Sequence, residues 1–422
     1  MGLKDFFGRR FRPAAPPVRQ ELAAIGLPDR WSSYPSVGLT PGRLGEIFRD
    51  ADQGEVTRQM ELFEEMEEKD AHLAALLQTR KLAVLSLDYE VLPYSRSRRD
   101  REIADFISEV VFRVQDLEGA LLDLLDALGK GFALAELIWD VDQDRAVVKE
   151  LRWIPQRKVT FVGSLTPRLL TQGASWEGEE PPAWKVIYHR YKARSGYDSR
   201  AGLLRVVGWM YLFKNYALKD WAAFNEVFGM PLRLGKYDAA ASPADREALV
   251  QAIRSLGSDA AGVISKNTEI EFVEAHSRLA GNVNPYEVLA EFCNREMSKA
   301  ILGQTLTTDT AGSTGTYAAA RVHSQVRRDL VQADAQSLAQ TLREQLLRPL
   351  VGFNFGWDQA VPWFRFKYDQ EEDLKTLSEV YRNLVQMGLP LGMEHVAERF
   401  GIPWATKGDE VGATQEIGEE KP

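Results

Sequence analysis

The stretch Ala300-Ile301-Leu302-Gly303-Gln304-Thr305-Leu306-Thr307-Thr308-Asp309-Thr310-Ala311-Gly312-Ser313-Thr314-Gly315-Thr316-Tyr317-Ala318 changes character twice within nineteen residues. Up to Leu302 it is the end of an apolar-periodic helix, and Gly303 is the residue type that closes a helix in the left-handed conformation. Residues 304–316 are rich in hydroxyls and nearly free of apolar side chains, the composition of a loop outside any core. From Tyr317 helical text resumes with no strand between. The two helices and the polar loop that joins them set the frame for the rest of the chain.

Upstream, Asn284-Pro285 offers a cap and a first-turn proline. Tyr286, Leu289, Phe292, Cys293, Met297, Ala300 and Ile301 then recur at helical spacing, which predicts a rod over residues 283–303. Glu287, Glu291, Arg295, Glu296 and Lys299 fall on its less apolar side. Downstream, residues 317–347 predict a long helix closed by Pro349. Before the rod lies a small α/β insert, residues 229–282. It begins at the breaker Gly229-Met230-Pro231, and its strands are predicted at 232–234, 261–264 and 269–273, with a helix from Ser242-Pro243 to 256. Ahead of the insert, Leu203, Val206, Val207, Met210, Phe213, Ala217, Trp221 and Phe224 predict another rod over 202–228. At 1.5 Å per residue it is about 40 Å long. Lys214, Lys219 and Asp220 mark its polar side.

The first 40 residues, punctuated by Pro13, Pro16, Pro17, Pro28 and Pro35, read as an extended arm. Their basic start has no apolar stretch of signal-peptide length. Thr40-Pro41 opens a helix, and residues 56–85 read as one longer helix. On this reading Met60, Phe63, Met66, Leu73, Leu76 and Leu77 face a core, and Glu64, Glu65, Glu67 and Glu68 form a solvated outer face. A strand at 89–92 follows, then helices at 98–113 and 117–128, strands at 132–139, 147–153 and 158–162, a loop over 163–183 and a strand at 184–189. Gly129-Lys130-Gly131 is a helix terminator and not a phosphate loop, because Leu124 stands where the first glycine is required and Gly131 where a hydroxyl is required. An aromatic strand at 361–368, helices at 370–386 and 392–400, and a polar acidic tail from Lys407 complete an α+β, mainly helical chain.

A net charge of −9 argues against a protein that grips DNA tightly over its whole surface, since phosphate binding relies on Lys and Arg displacing counterions. Cys293 is the only cysteine, so no intramolecular disulfide forms. Its apolar neighbours make it a buried structural thiol. The five histidines lack metal-ligand spacing, and Asp140, Asp142 and Asp144 lack the downstream glutamate of a calcium loop. No nucleophile elbow or dinucleotide fingerprint is present, which leaves no positive case for catalysis, a cofactor or a metal. No run of apolar residues has the length of a membrane span.

The order rod, insert, rod, Gly/Ser/Thr loop, long helix resembles the stem, clip, stem, tunnel loop and wing helix of tailed-bacteriophage portal proteins. More specifically, Ala300 to Thr308 followed by Gly312-Ser313 and Tyr317-Ala318 resembles the signature of Mu-like portals. Asp70-Ala71-His72-Leu73, Arg80-Lys81-Leu82-Ala83-Val84 and Tyr89-Glu90-Val91 add to it, as do Gln386-Met387-Gly388-Leu389-Pro390 and Phe400-Gly401-Ile402-Pro403. The resemblance spans roughly residues 30 to 405.

It implies a portal fold built as a homododecameric ring at one capsid vertex of the virion, assembled in the host cytoplasm, with double-stranded DNA passing through its channel. An arm (1–40) would precede a wing (41–201), a first stem helix (202–228), a clip (229–282), a second stem helix (283–303) and a tunnel loop (304–316). A long wing helix and strand (317–368), crown helices (369–406) and a flexible acidic tail (407–422) would follow. Implied partners are the terminase large subunit, the major capsid protein and a head-completion or adaptor protein, with no membrane. The tunnel loop would offer Gln304, Thr305, Thr307, Thr308, Asp309, Thr310, Ser313, Thr314 and Thr316 to DNA. The stem lumen would present Lys214, Lys219, Glu287, Glu291, Arg295 and Lys299. Another virion connector ring and a metal-dependent DNA-processing enzyme are the alternative readings.

Overall fold

Asp70 interrupts what the periodicity reads as one helix over residues 56–85, and the break shapes the first half of the molecule. In the computed structural model, which describes residues 36–163, 166–171, 173–228, 233–238, 240–255, 261–265, 284–305, 317–368, 374–390 and 392–400, two helices stand there. After α1 (Pro41–Asp52) come α2 (Thr57–Lys69) and α3 (Ala71–Leu85). Asp70 has extended backbone angles, and its carboxylate accepts from the backbone N–H groups of His72 and Leu73, which makes it the N-cap of α3.

The acidic face of α2 is also not solvated. Glu65 is buried and takes hydrogen bonds from Ser36 and Lys69. Glu64 pairs with Arg157 at 2.6 Å, and Glu67 lies 3.6 Å from Lys81; of the four, only Glu68 is exposed. The reason is that α2 is covered on several sides, with Gln59, Met60, Leu62, Phe63 and Met66 all buried. Its carboxylates therefore meet cations brought from elsewhere in the chain. Asp126 joins them, 2.6 Å from both Lys81 and Lys130. Burial alone would raise the Asp126 carboxyl, but the two ammonium groups outweigh it and hold it below the usual carboxylate range.

Beyond α3 the chain forms β1 (Tyr89–Leu92), α4 (Arg98–Phe112), α5 (Leu117–Leu125) and α6 (Ala127–Lys130). A three-stranded antiparallel sheet in the order β3-β2-β6 comprises β2 (Phe132–Asp142), β3 (Arg145–Ile154) and β6 (Val186–Arg190). The short pair β4 (Val159–Val162) and β5 (Thr166–Leu169) lies between β3 and β6 in sequence, so part of the expected loop over 163–183 is a strand. Gly131 ends α6 with φ +96°, and a Cβ there would fall 2.3 Å from the Asp198 carbonyl. One at Gly202 would fall 2.3 Å from the carbonyl of Gly129. Gly131 of the helix terminator and Gly202 thus let two backbones cross at the start of the next helix.

That helix is α7 (Leu203–Phe228), followed by β7 (Arg233–Tyr237), α8 (Pro243–Ser255) and β8 (Ala261–Ser265), where β7 and β8 pair in parallel. The expected strand at 269–273 lies outside the described residues, as do 1–35 of the N-terminal arm and the tail from 407. Next come α9 (Pro285–Leu302) and α10 (Tyr317–Leu342). Pro349 does not close the long helix. Instead α10 passes through a π-helical turn, Arg343–Leu347, into α11 (Arg348–Phe355). The wider turn puts Pro349, which has no N–H to donate, in the first turn of the new segment, where none is needed. Finally β9 (Trp363–Phe366) pairs antiparallel with β1.

The chain divides into two units, Met1–Lys367 and Tyr368–Pro422. In the second, Tyr381 of α12 (Leu374–Gln386) lies against His395 and Phe400 of α13 (Met393–Phe400).

Both outer edges of the β3-β2-β6 sheet are closed by side-chain amides from the helical segment that contains the π turn. Gln345 accepts from the Tyr188 N–H at 2.7 Å and donates to its carbonyl at 2.9 Å. Asn354 accepts from the Ala146 N–H at 2.9 Å and donates to its carbonyl at 2.8 Å. Each amide acts as one residue of an additional strand, satisfying backbone groups that an edge otherwise leaves open. Gln345→Ala and Asn354→Ala should each lower stability by about 1–3 kcal/mol, measured by urea unfolding.

His189, one residue along β6, is buried, with Nδ1 2.9 Å from Thr341 Oγ1. Burial, helped by Arg190, depresses its imidazole to about 4 from the usual 6.5. The folded protein therefore keeps His189 neutral in a range where the unfolded chain protonates it, and stability is lost as pH falls from 6.5 toward 4. The contribution is at most roughly 3 kcal/mol. His189→Gln should flatten the dependence of the urea midpoint on pH across that window.

Candidate functional site: paired rods and the base of the loop

Helices α7 and α9 run antiparallel and pack along their length, with the Phe224 and Tyr286 rings 5.9 Å apart near one end. The apolar pattern divides between two faces. Leu204, Val207, Tyr211 and Ala217 of α7 are buried, as are Ala290, Cys293, Met297 and Ile301 of α9. Burial pushes the Cys293 thiol up, away from reactivity. A second set stays uncovered: Val206 (60% exposed), Trp209, Phe213 and Tyr216 on α7, and Val288, Leu289 and Phe292 (46% exposed) on α9. The α7 set recurs at three, four and three residues and so forms one stripe.

The charged residues expected along the rods have different surroundings. Lys219, Glu287, Glu291 and Lys299 are exposed. Arg295 is half-buried and lies 3.8 Å from Glu291, while Lys299 pairs with Glu296. Lys214 is committed inside the protomer, with Nζ 2.7 and 2.9 Å from the two carboxylate oxygens of Asp70. This ties the middle of α7 to the α2–α3 junction. On α9 the matching tie is His72, whose Nε2 lies 3.0 Å from the Asn294 carbonyl and 2.9 Å from Ser298 Oγ. Burial lowers its imidazole, favouring the neutral ring that this pocket accommodates.

Where α9 ends, Gly303 takes φ +68°. A Cβ on it would come within 3.0 Å of Val326 and 3.6 Å of Leu330, so the end of α9 lies directly against α10. Of the loop residues, Gln304 is buried and Thr305 half-buried. Thr307, Thr308, Asp309, Thr310, Ser313, Thr314 and Thr316 lie outside the described residues.

Arg80 joins both flanks of that loop to the body. Its guanidinium grips Asp334 of α10 in a two-pronged pair, Nε to Oδ2 at 2.7 Å and Nη2 to Oδ1 at 3.0 Å. It also donates to the Ile301 carbonyl near the end of α9 at 2.6 Å and to Tyr191 Oη at 3.1 Å. Burial raises the Asp334 carboxyl, and Arg80 works against that rise. In the sequence Arg80 stands out only as part of a family motif, and Asp334 and Tyr191 do not stand out at all. A signal was present: Leu73, Leu76, Leu77, Arg80 and Val84 share one helical face, and an arginine within such a stripe needs a buried partner. Asp334→Ala should cost about 3–5 kcal/mol by urea unfolding, because it leaves the Arg80 charge buried and unpaired. Replacing both residues, Arg80→Met with Asp334→Leu, should cost less than the single change.

Among the described residues no group of His, Cys, Asp and Glu side chains could hold a metal ion, and no helix is long and apolar enough to cross a membrane.

The family model described as "Portal protein of Mu bacteriophage" matches residues 60–402. The chain is 32% identical over 414 residues to the Mu-like prophage FluMu protein gp29 of Haemophilus influenzae, covering 96% of this chain and 79% of that protein. It is also 32% identical over 379 residues to the portal protein of Escherichia phage Mu, covering 89% and 73%. Among solved structures, a chain from the neck of an empty GTA particle, computed with C6 symmetry, shares the fold. The TM-score is 0.53 and the identity 12%, with 78% of this chain and 89% of that one covered. The family-model match and the two relatives show the same thing: this chain belongs to the family of Mu bacteriophage portal proteins.

Proposed function

We propose that twelve copies of the chain close a ring at one capsid vertex, forming the channel through which double-stranded DNA is packaged and ejected. The observation that carries this reading is the uncovered apolar surface of α7 and α9. A protomer alone leaves Val206, Trp209, Phe213, Val288 and Phe292 in water, whereas a head-to-tail ring gives every such surface a neighbour. Residues 202–228 and 283–303 are then the stem, and 229–282 the clip facing the terminase large subunit and later the head-completion protein. Residues 304–316 are the tunnel loop and those beyond about 369 the crown, while the wing meets the major capsid protein.

The charges suit DNA in transit. Lys219, Glu287, Glu291, Arg295 and Lys299 mix both signs along the stem, so a duplex passes without a continuous cationic trap. Lys214 takes no part in the lumen on this reading, because Asp70 holds it at the joint between stem and wing. The hydroxyls of residues 304–316, with Asp309 as their one charge, brush phosphates without gripping them.

Negative-stain electron microscopy of the purified full-length chain should show rings with an open centre. The paired change Phe213→Glu and Phe292→Glu should leave protomers with unchanged circular dichroism that no longer close. A wild-type chain that stays monomeric under all assembly conditions would sink the proposal.

A further inference from the structure

The run Ser95-Arg96-Ser97-Arg98-Arg99-Asp100-Arg101, at the start of α4, holds four arginines within six residues of a chain whose net charge is −9. No other window of six among the described residues holds as many Lys and Arg side chains, and all four arginines are exposed. Arg99 is occupied, 3.2 Å from Glu102 and lying over the Phe355 ring. Arg96, Arg98 and Arg101 make no ion pair among the described residues.

The run's own acid, Asp100, offsets only one of the four positive charges. The Ser95 hydroxyl donates to the Asp100 carboxylate, the Asp100 N–H donates to Ser97 Oγ at 3.0 Å, and the Ser97 N–H donates to Ser95 Oγ at 3.2 Å. These bonds spend Asp100 on ordering the turn. The turn is fixed from its other side by Tyr94, 53% exposed, whose ring stacks on Trp363 at 6.2 Å and 14°. Arg343 lies over that tryptophan at 3.7 Å. Three free guanidiniums are therefore displayed on a preordered support. Their position opposes the helix macrodipole, which disfavours cations at an N-terminal turn, so internal stability gives no reason for it.

The geometry points to an anion grip outside the channel: Arg96, Arg98 and Arg101 hold the phosphate backbone of double-stranded DNA. DNA as the polyanion rests on the portal reading, which puts each ring against a long duplex. A duplex carries a charge about every 1.7 Å along its axis, so several phosphates fall within reach of one arginine turn. Guanidinium forks match phosphate oxygens in a way ammonium groups do not. Repetition around a ring multiplies a weak grip. This surface does what the stem does not: it restrains DNA that has no need to move through the channel.

The test uses covalently closed circular plasmid, which has no end to thread and so reports only surfaces outside the channel. Wild-type rings should retain it at 50 mM salt and release it steeply as salt rises. The triple variant Arg96→Ala, Arg98→Ala and Arg101→Ala should bind at least tenfold more weakly with a shallower salt dependence, its rings unchanged by microscopy. A control removing equal charge from other exposed positions, Lys149→Ala, Lys192→Ala and Arg194→Ala, should bind like wild type. The inference is overturned if wild type ignores the plasmid, if the triple variant binds equally, or if the control weakens binding as much. Arginine-dependent binding of polyglutamate in place of plasmid also overturns it, in favour of an acidic protein. A chain that forms no rings counts against the portal reading alone, because retention of plasmid by the protomer is scored with the same variants.

Discussion

A single buried guanidinium, that of Arg80, sets much of the geometry around the loop between α9 and α10. A charge removed from water is tolerated only when its donors are matched, and Arg80 finds its acceptors on three separate segments: Asp334, the Ile301 carbonyl and Tyr191. None of these can shift far without leaving a cation unsolvated. The end of α9 and the middle of α10 are thereby fixed relative to α3, whatever the residues between them do. A polar loop with little apolar content of its own needs such anchorage, because nothing in its composition pulls it onto a core.

The same logic extends along the rods. Lys214 with Asp70 on α7, and His72 with Ser298 and the Asn294 carbonyl on α9, bond each rod to the junction where α2 gives way to α3. Directional polar bonds fix the root of the hairpin, while non-directional apolar contacts join α7 to α9 and leave a further apolar stripe exposed. Polar contacts set angles and apolar surface sets affinity. A subunit of a closed assembly requires both, since a small error in the angle between neighbours keeps a ring from closing.

How much of this could be read from the residues alone depended on the range of the interaction. The rods were legible because 3.6-residue periodicity and their terminators, Asn284-Pro285 and Gly303, are local. The π turn before Pro349 was not, because a proline ordinarily ends a helix and only the contacts of Gln345, Arg343 and Asn354 favour its continuation. The carboxylates of α2 were misread for a related reason. Lys69 is an i,i+4 neighbour of Glu65 within α2, but Glu64 and Glu67 look solvated until Arg157, Lys130 and Lys81 arrive from other elements, and no short window contains that information. In the candidate site, the loop and rods stood out by composition, whereas Asp334 and Tyr191 sit more than a hundred residues from their common partner.

Net charge is a poor guide to where such a protein meets DNA, and the distribution of its charges shows why. Several of its acids and bases are paired among the described residues: Glu291 with Arg295, Glu296 with Lys299, and Asp126 with Lys81 and Lys130. Such arrangements have weak fields beyond about a Debye length, roughly 8 Å in physiological salt. On the proposed reading, a duplex moving past them would feel little net pull, since each firm phosphate contact would have to be broken for the next step. The turn at residues 95–101 differs because four arginines stand beside a single acid, Asp100, which offsets only one of them. On that reading, charges of mixed sign along the rods would let one acidic chain release DNA there, while the arginine turn holds it.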